Sequence, residues 1–119
     1  MPEIPTELHD LRGERLDLRG VRNLIERIVE RWNPLQIWLF GSRARGEAGA
    51  KSDWDFLVIA PDAAADADLG PLVGWKLQKD ARINADIFAC RLSEFADDRE
   101  TPNTLCYEAA TNGVLVYER

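Results

Sequence analysis

A chain of 119 residues holds one domain with a real core and is too short for two. With 45% hydrophobic and 30% charged residues it has the composition of a soluble globular protein, and no apolar run approaches the ~20 residues that cross a membrane. The net charge of −6 argues against an extended nucleic-acid interface, which needs basic surface, but leaves room for a nucleotide, whose phosphates need only local positive charge, backbone N–H groups and a cation.

Residues 1–20 follow neither the helical nor the strand period: Leu8, Leu11, Leu16 and Leu18 are irregularly spaced, and Gly13 and Gly20 interrupt them. A short helix or an irregular arm is expected here. The polar, acidic start (Pro2, Glu3, Thr6, Glu7) lacks a basic-then-apolar signal pattern, so the expected location is the cytoplasm. The lone histidine, His9, has no evident metal or catalytic partner and reads as a surface residue.

From Val21 to Trp32, the residues Val21, Leu24, Ile25, Ile28, Val29 and Trp32 recur at helical spacing, with charged residues between them, and Asn33-Pro34 ends the helix. Leu35 to Phe40 reads as a strand apolar on both faces, hence central, closed by Gly41. Residues 43–52 read as a helical turn and a loop, and Asp53 to Ala60 as a second strand. Pro61 to Asp68 is an acidic stretch, a solvated connector rather than a cation site. Leu69 to Ala81 is a helix with Leu72, Val73 and Leu77 on one side, and Ala85 to Cys90 is a third strand. Leu92 to Asp98 is a helical turn begun by Ser93. Thr104 to Thr111 is a last helix closed by Asn112-Gly113, and Val114 to Tyr117 is a final strand. This order implies an α/β or α+β fold: a small mixed sheet of about four strands with helices packed mainly on one face, all within a single domain, residues 1–119. Cys90 and Cys106 have no metal spacing and read as small buried hydrophobes rather than a disulfide. Trp32, Trp38 and Trp54 fit core positions; Trp75 fits none, and an exposed tryptophan is an interface candidate.

Two stretches carry chemistry. Side chains alternate along a strand, so Asp53 and Asp55 point the same way, with Leu57 and Ile59 continuing their face and Trp54, Phe56, Val58 and Ala60 filling the other. Two carboxylates at the mouth of a buried strand repel unless neutralised, and Mg²⁺ suits one or two carboxylates together with substrate phosphates. The alternative is a turn at Ser52-Asp53 and a surface aspartate at Asp55. Gly41-Ser42 stands where a central strand gives way to a helix start: glycine allows close backbone approach, free amides face an anion, the Ser42 hydroxyl can donate to phosphate, and Arg43 or Arg45 can add charge. The alternative is an ordinary tight turn with an N-capping serine. The Gly46–Ser52 stretch is not a P-loop, because Ala50 rather than Gly precedes Lys51 and a strand rather than a helix follows.

Joined, the two stretches read Gly41-Ser42, ten residues, Asp53-x-Asp55. This resembles the signature of the DNA-polymerase-β-like nucleotidyltransferase superfamily. The string GSRARGEAGAKSDWDFLVI is similar to its smallest members, the minimal nucleotidyltransferase (MNT) domains, commonly encoded beside HEPN-domain proteins as toxin–antitoxin pairs. The resemblance covers residues 21–90 and extends to the closing Gly-Val-Leu-Val-Tyr-Glu. It implies a polymerase-β-like palm and a third carboxylate on the next strand, for which Asp86 is the candidate. It implies Gly41, Ser42, Arg43 and Arg45 as nucleotide-binding residues, and Asp53, Asp55 and Asp86 as catalytic ligands of Mg²⁺, two ions in all. The implied reaction is transfer of a nucleoside monophosphate, AMP from ATP, to a hydroxyl on a HEPN toxin, so that the chain acts as antitoxin. Two rival readings remain: a non-catalytic module that inhibits its partner by occlusion, and transfer to a small molecule or an RNA end.

Overall fold

The computed structural model describes residues 3–119; the first two residues of the expected N-terminal arm lie outside the described residues. Six strands and five helices follow in the order β1 (Glu7–His9), β2 (Arg15–Asp17), α1 (Arg22–Trp32), β3 (Gln36–Phe40), α2 (Ser42–Arg45), β4 (Trp54–Ala60), α3 (Pro71–Ala81), β5 (Ala85–Arg91), α4 (Leu92–Asp98), α5 (Leu105–Asn112) and β6 (Val114–Glu118). The main sheet is mixed, with order β5-β4-β3-β6. β3 runs antiparallel to β4 and β6, whereas β4 and β5 are parallel and joined across one face by α3.

The apolar alternation of β4 divides the core in two. Phe56, Val58 and Ala60 face α1 and α3, where they meet Leu24, Ile25, Ile28, Trp32, Ile37 and Leu39 in the larger cluster. Leu57 and Ile59 face the other way, onto Phe40, Phe95 of α4, and Cys106 and Ala109 of α5. The main helical layer thus covers one face, as expected, and the short helices α4 and α5 add a smaller layer on the other. Cys90 and Cys106 are both free, with their sulfurs 3.9 Å apart in this second cluster. Burial raises both thiol pKa values, which favours the unreactive protonated form.

Four expectations need correction. In place of a helix or an irregular arm, Glu7–Asp17 make an antiparallel hairpin, β1 and β2, in which Leu8 faces Leu16, and a short 3-10 turn over Arg19–Val21 leads into α1. Gly13, at φ +82°, supplies the turn, and the Asp10 carboxylate accepts from the amides of Arg12 (2.8 Å) and Glu14 (3.0 Å). Three-residue strands show too little alternation to register as a period. α3 begins at Pro71 after a 3-10 turn over Asp66–Leu69, and Leu72 is 76% exposed. Val73, Leu77 and Ala81 instead pack on the larger cluster, because Leu72 stands one residue, about 100° of helix, away from that face. α4 starts at Leu92 with Arg91 as its cap: the Glu94 carboxylate accepts from the Arg91 amide (2.9 Å), while the Ser93 amide donates to Asp62 (2.9 Å). Gly113 closes α5 with extended backbone, not a left-handed turn. It is required because a Cβ there would strike the carbonyls of Ala109 and Leu39.

The acidic connector is a set of pinned partners. Arg91 donates to Ala64 O (2.8 Å) and Asp66 (2.6 Å), Arg31 to Asp68 (2.7 Å), and the Trp32 indole to Asp68 O (2.7 Å). These contacts hold the crossover that carries the chain from β4 into α3.

α3 rests on β5 through Gly74, where an added Cβ would lie 2.5 Å from Ile87 O and 2.9 Å from Ile87 Cβ. Gly74→Ala should therefore destabilise the protein by roughly 1–3 kcal/mol through backbone displacement. Leu72→Ala, two residues away but exposed, should stay within about 0.5 kcal/mol of the parent. Urea denaturation of both variants tests the packing, and equal midpoints would refute it.

Candidate active site

The candidate site lies at one end of the main sheet, where three strands bring their termini into line. Register places Phe40 of β3 opposite Asp55 of β4, and Asp55 beside Asp86 of β5. Asp53 immediately precedes β4 rather than opening it. The Trp54 amide donates to Asn84 O (3.1 Å), which holds the starts of β4 and β5 together. Asp53, Asp55 and Asp86, the three carboxylates expected from the sequence, are thus gathered at one mouth.

Gly41 leaves β3 with φ +77° and ψ −160°, a conformation that disfavours any side chain. Its Cα lies against the Asp55 carboxylate: a Cβ would collide with Asp55 Oδ2 and stand 3.1 Å from Cγ. The glycine thus serves both the turn and the close approach. Ser42 opens α2, a single helical turn of four residues. So short a helix has little macrodipole, and its contribution to anion binding is its first amides, which have no partner within the helix. The turn is braced from behind. Ala44 is fully buried and its carbonyl accepts from the Leu11 amide at the tip of the N-terminal hairpin (2.9 Å). Gly46, also at φ +77°, makes room for Asp10 and Arg12 of that tip.

The two arginines have different surroundings. Arg43 turns its guanidinium to the following loop: Nε donates to Ser52 O (3.0 Å) and Nη2 donates to Ser52 O (2.6 Å) and Ala50 O (3.4 Å). It also lies over the Trp54 ring at 4.1 Å. In this arrangement Arg43 fixes the loop that delivers Asp53 to the site. Arg45 is held loosely between Glu47 and Glu108, each at 3.3 Å, and its charge reaches Asp55. Glu108, on α5 far along the chain, had no signal in the sequence.

The electrostatics mark Asp55 as the centre of the group. Its carboxyl is pushed up from 3.8 to about 6. Burial is the first cause, followed by the charges of Asp86 and Asp53 and a hydrogen bond with the Asp86 carboxyl, while Arg45 opposes the rise. Among the described residues no three or more His, Cys, Asp or Glu side chains form a ready-made metal cage. The donor set is nonetheless all oxygen, and crowded carboxylates of this kind fit a hard cation that completes its shell with water and phosphate oxygens. Beyond Asp86 a cleft of about 390 Å³ runs along the outer side of β5, lined by Asp53, Asp86, Asn84, Trp75, Gln78 and Phe88. Trp75, unplaced in the sequence, belongs here.

The chain is thus a mixed sheet between two helical layers, with a glycine-serine turn beside a row of carboxylates at one end. The family model described as "Nucleotidyltransferase domain" matches residues 21–99, and the chain belongs to that family. Among solved structures, a candidate nucleotidyltransferase from Sulfolobus solfataricus is 23% identical, with a TM-score of 0.56 over 86% of this chain and 80% of that one. A toxin–antitoxin structure with AMP-PNP is also 23% identical, with a TM-score of 0.54 over 82% of this chain and 73% of that one. At this identity both likenesses speak to the fold. No curated protein matches in sequence. Among the described residues no helix is long and apolar enough to cross a membrane.

The raised Asp55 value has a consequence for stability. Between pH 3.8 and about 6 the folded protein keeps a proton that the unfolded chain has lost. The group's contribution is therefore complete below the unfolded value and lost as pH rises through the folded one. Above that, ionised Asp55 strains the ligand-free fold. Asp55→Asn should raise Tm at pH 7.5 without added metal by roughly 3–6 °C, corresponding to about 1 kcal/mol once solvent screening is allowed for. The gain should shrink toward zero near pH 4. A variant no more stable than the parent at pH 7.5 would contradict the repulsion.

Proposed function

We propose that this chain, read as one domain over residues 1–119, transfers AMP from ATP to a hydroxyl on a partner protein and thereby acts as the antitoxin of a HEPN-type toxin. One observation carries the reading. In a member of the nucleotidyltransferase family, the Gly41-Ser42 turn, Asp55 and Asp86 stand in sequence across one sheet mouth, with Gly41 in contact with the Asp55 carboxylate. The presence of AMP-PNP in a structural neighbour from a toxin–antitoxin complex supports the choice of ATP and of a protein partner.

In this reading the Ser42 hydroxyl and the first amides of α2 bind the β- and γ-phosphates. Arg45 lends charge at the same seat, and Arg43, through its grip on Ser52 O, positions the loop leading to Asp53. Asp53, Asp55 and Asp86 would hold Mg²⁺, which when bound supplies the positive charge that phosphoryl transfer needs. Asp86, on the far side of Asp55 from the phosphate seat, orients the acceptor hydroxyl and accepts its proton. The acidic surface disfavours an RNA acceptor.

The test is label transfer. The purified chain is incubated with the protein encoded beside it, α-labelled ATP and Mg²⁺, and both pyrophosphate and labelled partner are followed. Wild type should label the partner, and Asp53→Ala with Asp55→Ala should reduce transfer by at least about a thousandfold. Ser42→Ala should act mainly on the KM for ATP, by roughly tenfold. A partner that is inhibited equally by wild type and double mutant, without label, would replace the enzymatic reading with the occluding module.

A further inference from the structure

Resting on that reading, we infer that the acceptor protein docks along the outer edge of β5, in the cleft walled by Trp75 and Phe88, and that Trp75 determines which acceptor is accepted. In-line displacement sets the direction. The acceptor oxygen forms its bond to the α-phosphorus as the bond to the bridging oxygen breaks, pyrophosphate departs with that electron pair, and the hydroxyl proton passes to Asp86. With the β- and γ-phosphates at Gly41-Ser42, the leaving group lies toward β3. The attacking oxygen must then arrive from the opposite side, past Asp86. Among the described residues β5 is an edge strand on which Asp86 and Phe88 are exposed, and the cleft of about 390 Å³ containing Asp86 and Asp53 is the entry.

The entry pairs apolar walls, Pro71, Trp75, Ile87 and Phe88, with the polar side chains Gln78 and Asn84. Trp75 is 54% exposed although it is among the largest side chains in the protein, and Phe88 and Leu105 are exposed with it. A second cleft, of about 310 Å³, continues from the first through their shared residues Pro71, Ile87 and Phe88 and reaches Leu105 and Asp98. The two form one continuous groove, more apolar toward Leu105, with carboxylates at both ends: Asp53 and Asp86 at the reaction end, Asp98 at the other. Lys79 stacks on the Trp75 ring at 4.8 Å. This pattern complements a protein segment whose apolar side chains flank the hydroxyl and which carries a basic residue at the Asp98 end; a polyanionic acceptor would meet carboxylates at both ends.

Trp75→Ala and Phe88→Ala alter exposed side chains, and circular dichroism should show both variants folded. With the neighbouring-gene protein as acceptor, each should raise its KM about tenfold or more while leaving ATP affinity within about twofold. Trp75→Phe should recover most of the loss. Leu92→Ala, an exposed apolar residue lining neither cleft, should change nothing. Unchanged acceptor KM in Trp75→Ala, with wild type active, overturns the proposal, as does a loss confined to ATP affinity, which would make the cleft the nucleoside seat. Binding of the same partner, measured by calorimetry without nucleotide, separates the two readings. Binding that is weakened by Trp75→Ala but never followed by label keeps the docking face and removes the transfer reaction. Absence of both binding and label in wild type overturns both.

Discussion

The approach of Gly41 to the Asp55 carboxylate is the contact on which the candidate site depends. It joins the end of β3 to the start of β4 at a distance that admits no side chain. Everything chemical follows from that closeness. The turn that can hold phosphate and the carboxylates that can hold a cation become one surface instead of two. Burial, and then the charges of Asp86 and Asp53, push the Asp55 carboxyl above its ordinary value, so the site concentrates a charge conflict at the point where β3 and β4 meet. Binding chemistry of this kind is built by sacrificing local stability.

The scaffold separates that conflict from the rest of the molecule. β4 is buried on both faces from Phe56 to Ala60, so its first residues are held by a rigid strand while still reaching solvent. α1 and α3 supply most of the burial on one side. α4 and α5 supply less on the other, where Glu108 also reaches back to restrain Arg45. The hairpin and the loop gripped by Arg43 support the turn and Asp53 from opposite directions.

Much of this was legible in the residues. The long periodic stretch of α1, the two-faced apolar runs of β3 and β4, and the ten-residue spacing between Gly41-Ser42 and Asp53-x-Asp55 each reflect a physical demand strong enough to leave a pattern, and Asp86 lies beside Asp55 in register. Other features left no pattern because they depend on contacts distant in sequence. The Leu8–Leu16 pair occupies strands too short to show alternation. Nothing local distinguishes an Arg43 that clamps a loop from one that meets a phosphate; Trp54 beneath its guanidinium and Ser52 O beside it are visible only in three dimensions. Leu72 fitted the apolar side of α3 by composition, and only the packing of Gly74 on Ile87 sets the rotation that leaves it outside. Gly113, like Gly41, is needed for proximity, but its neighbour Leu39 is far away in sequence.

The N-terminal hairpin carries a further consequence. The family match begins at residue 21, yet the Leu11 amide and the Asp10–Arg12 tip rest directly against α2 and Gly46. The span matched by the family model therefore does not include the residues that brace the candidate phosphate seat. A protein trimmed to the matched span would keep every candidate site residue and lose the wall behind them, as well as the cover that Ile4, Leu16 and Leu18 give the larger core. For this chain, the boundary of the recognisable family and the boundary of the working unit are different places.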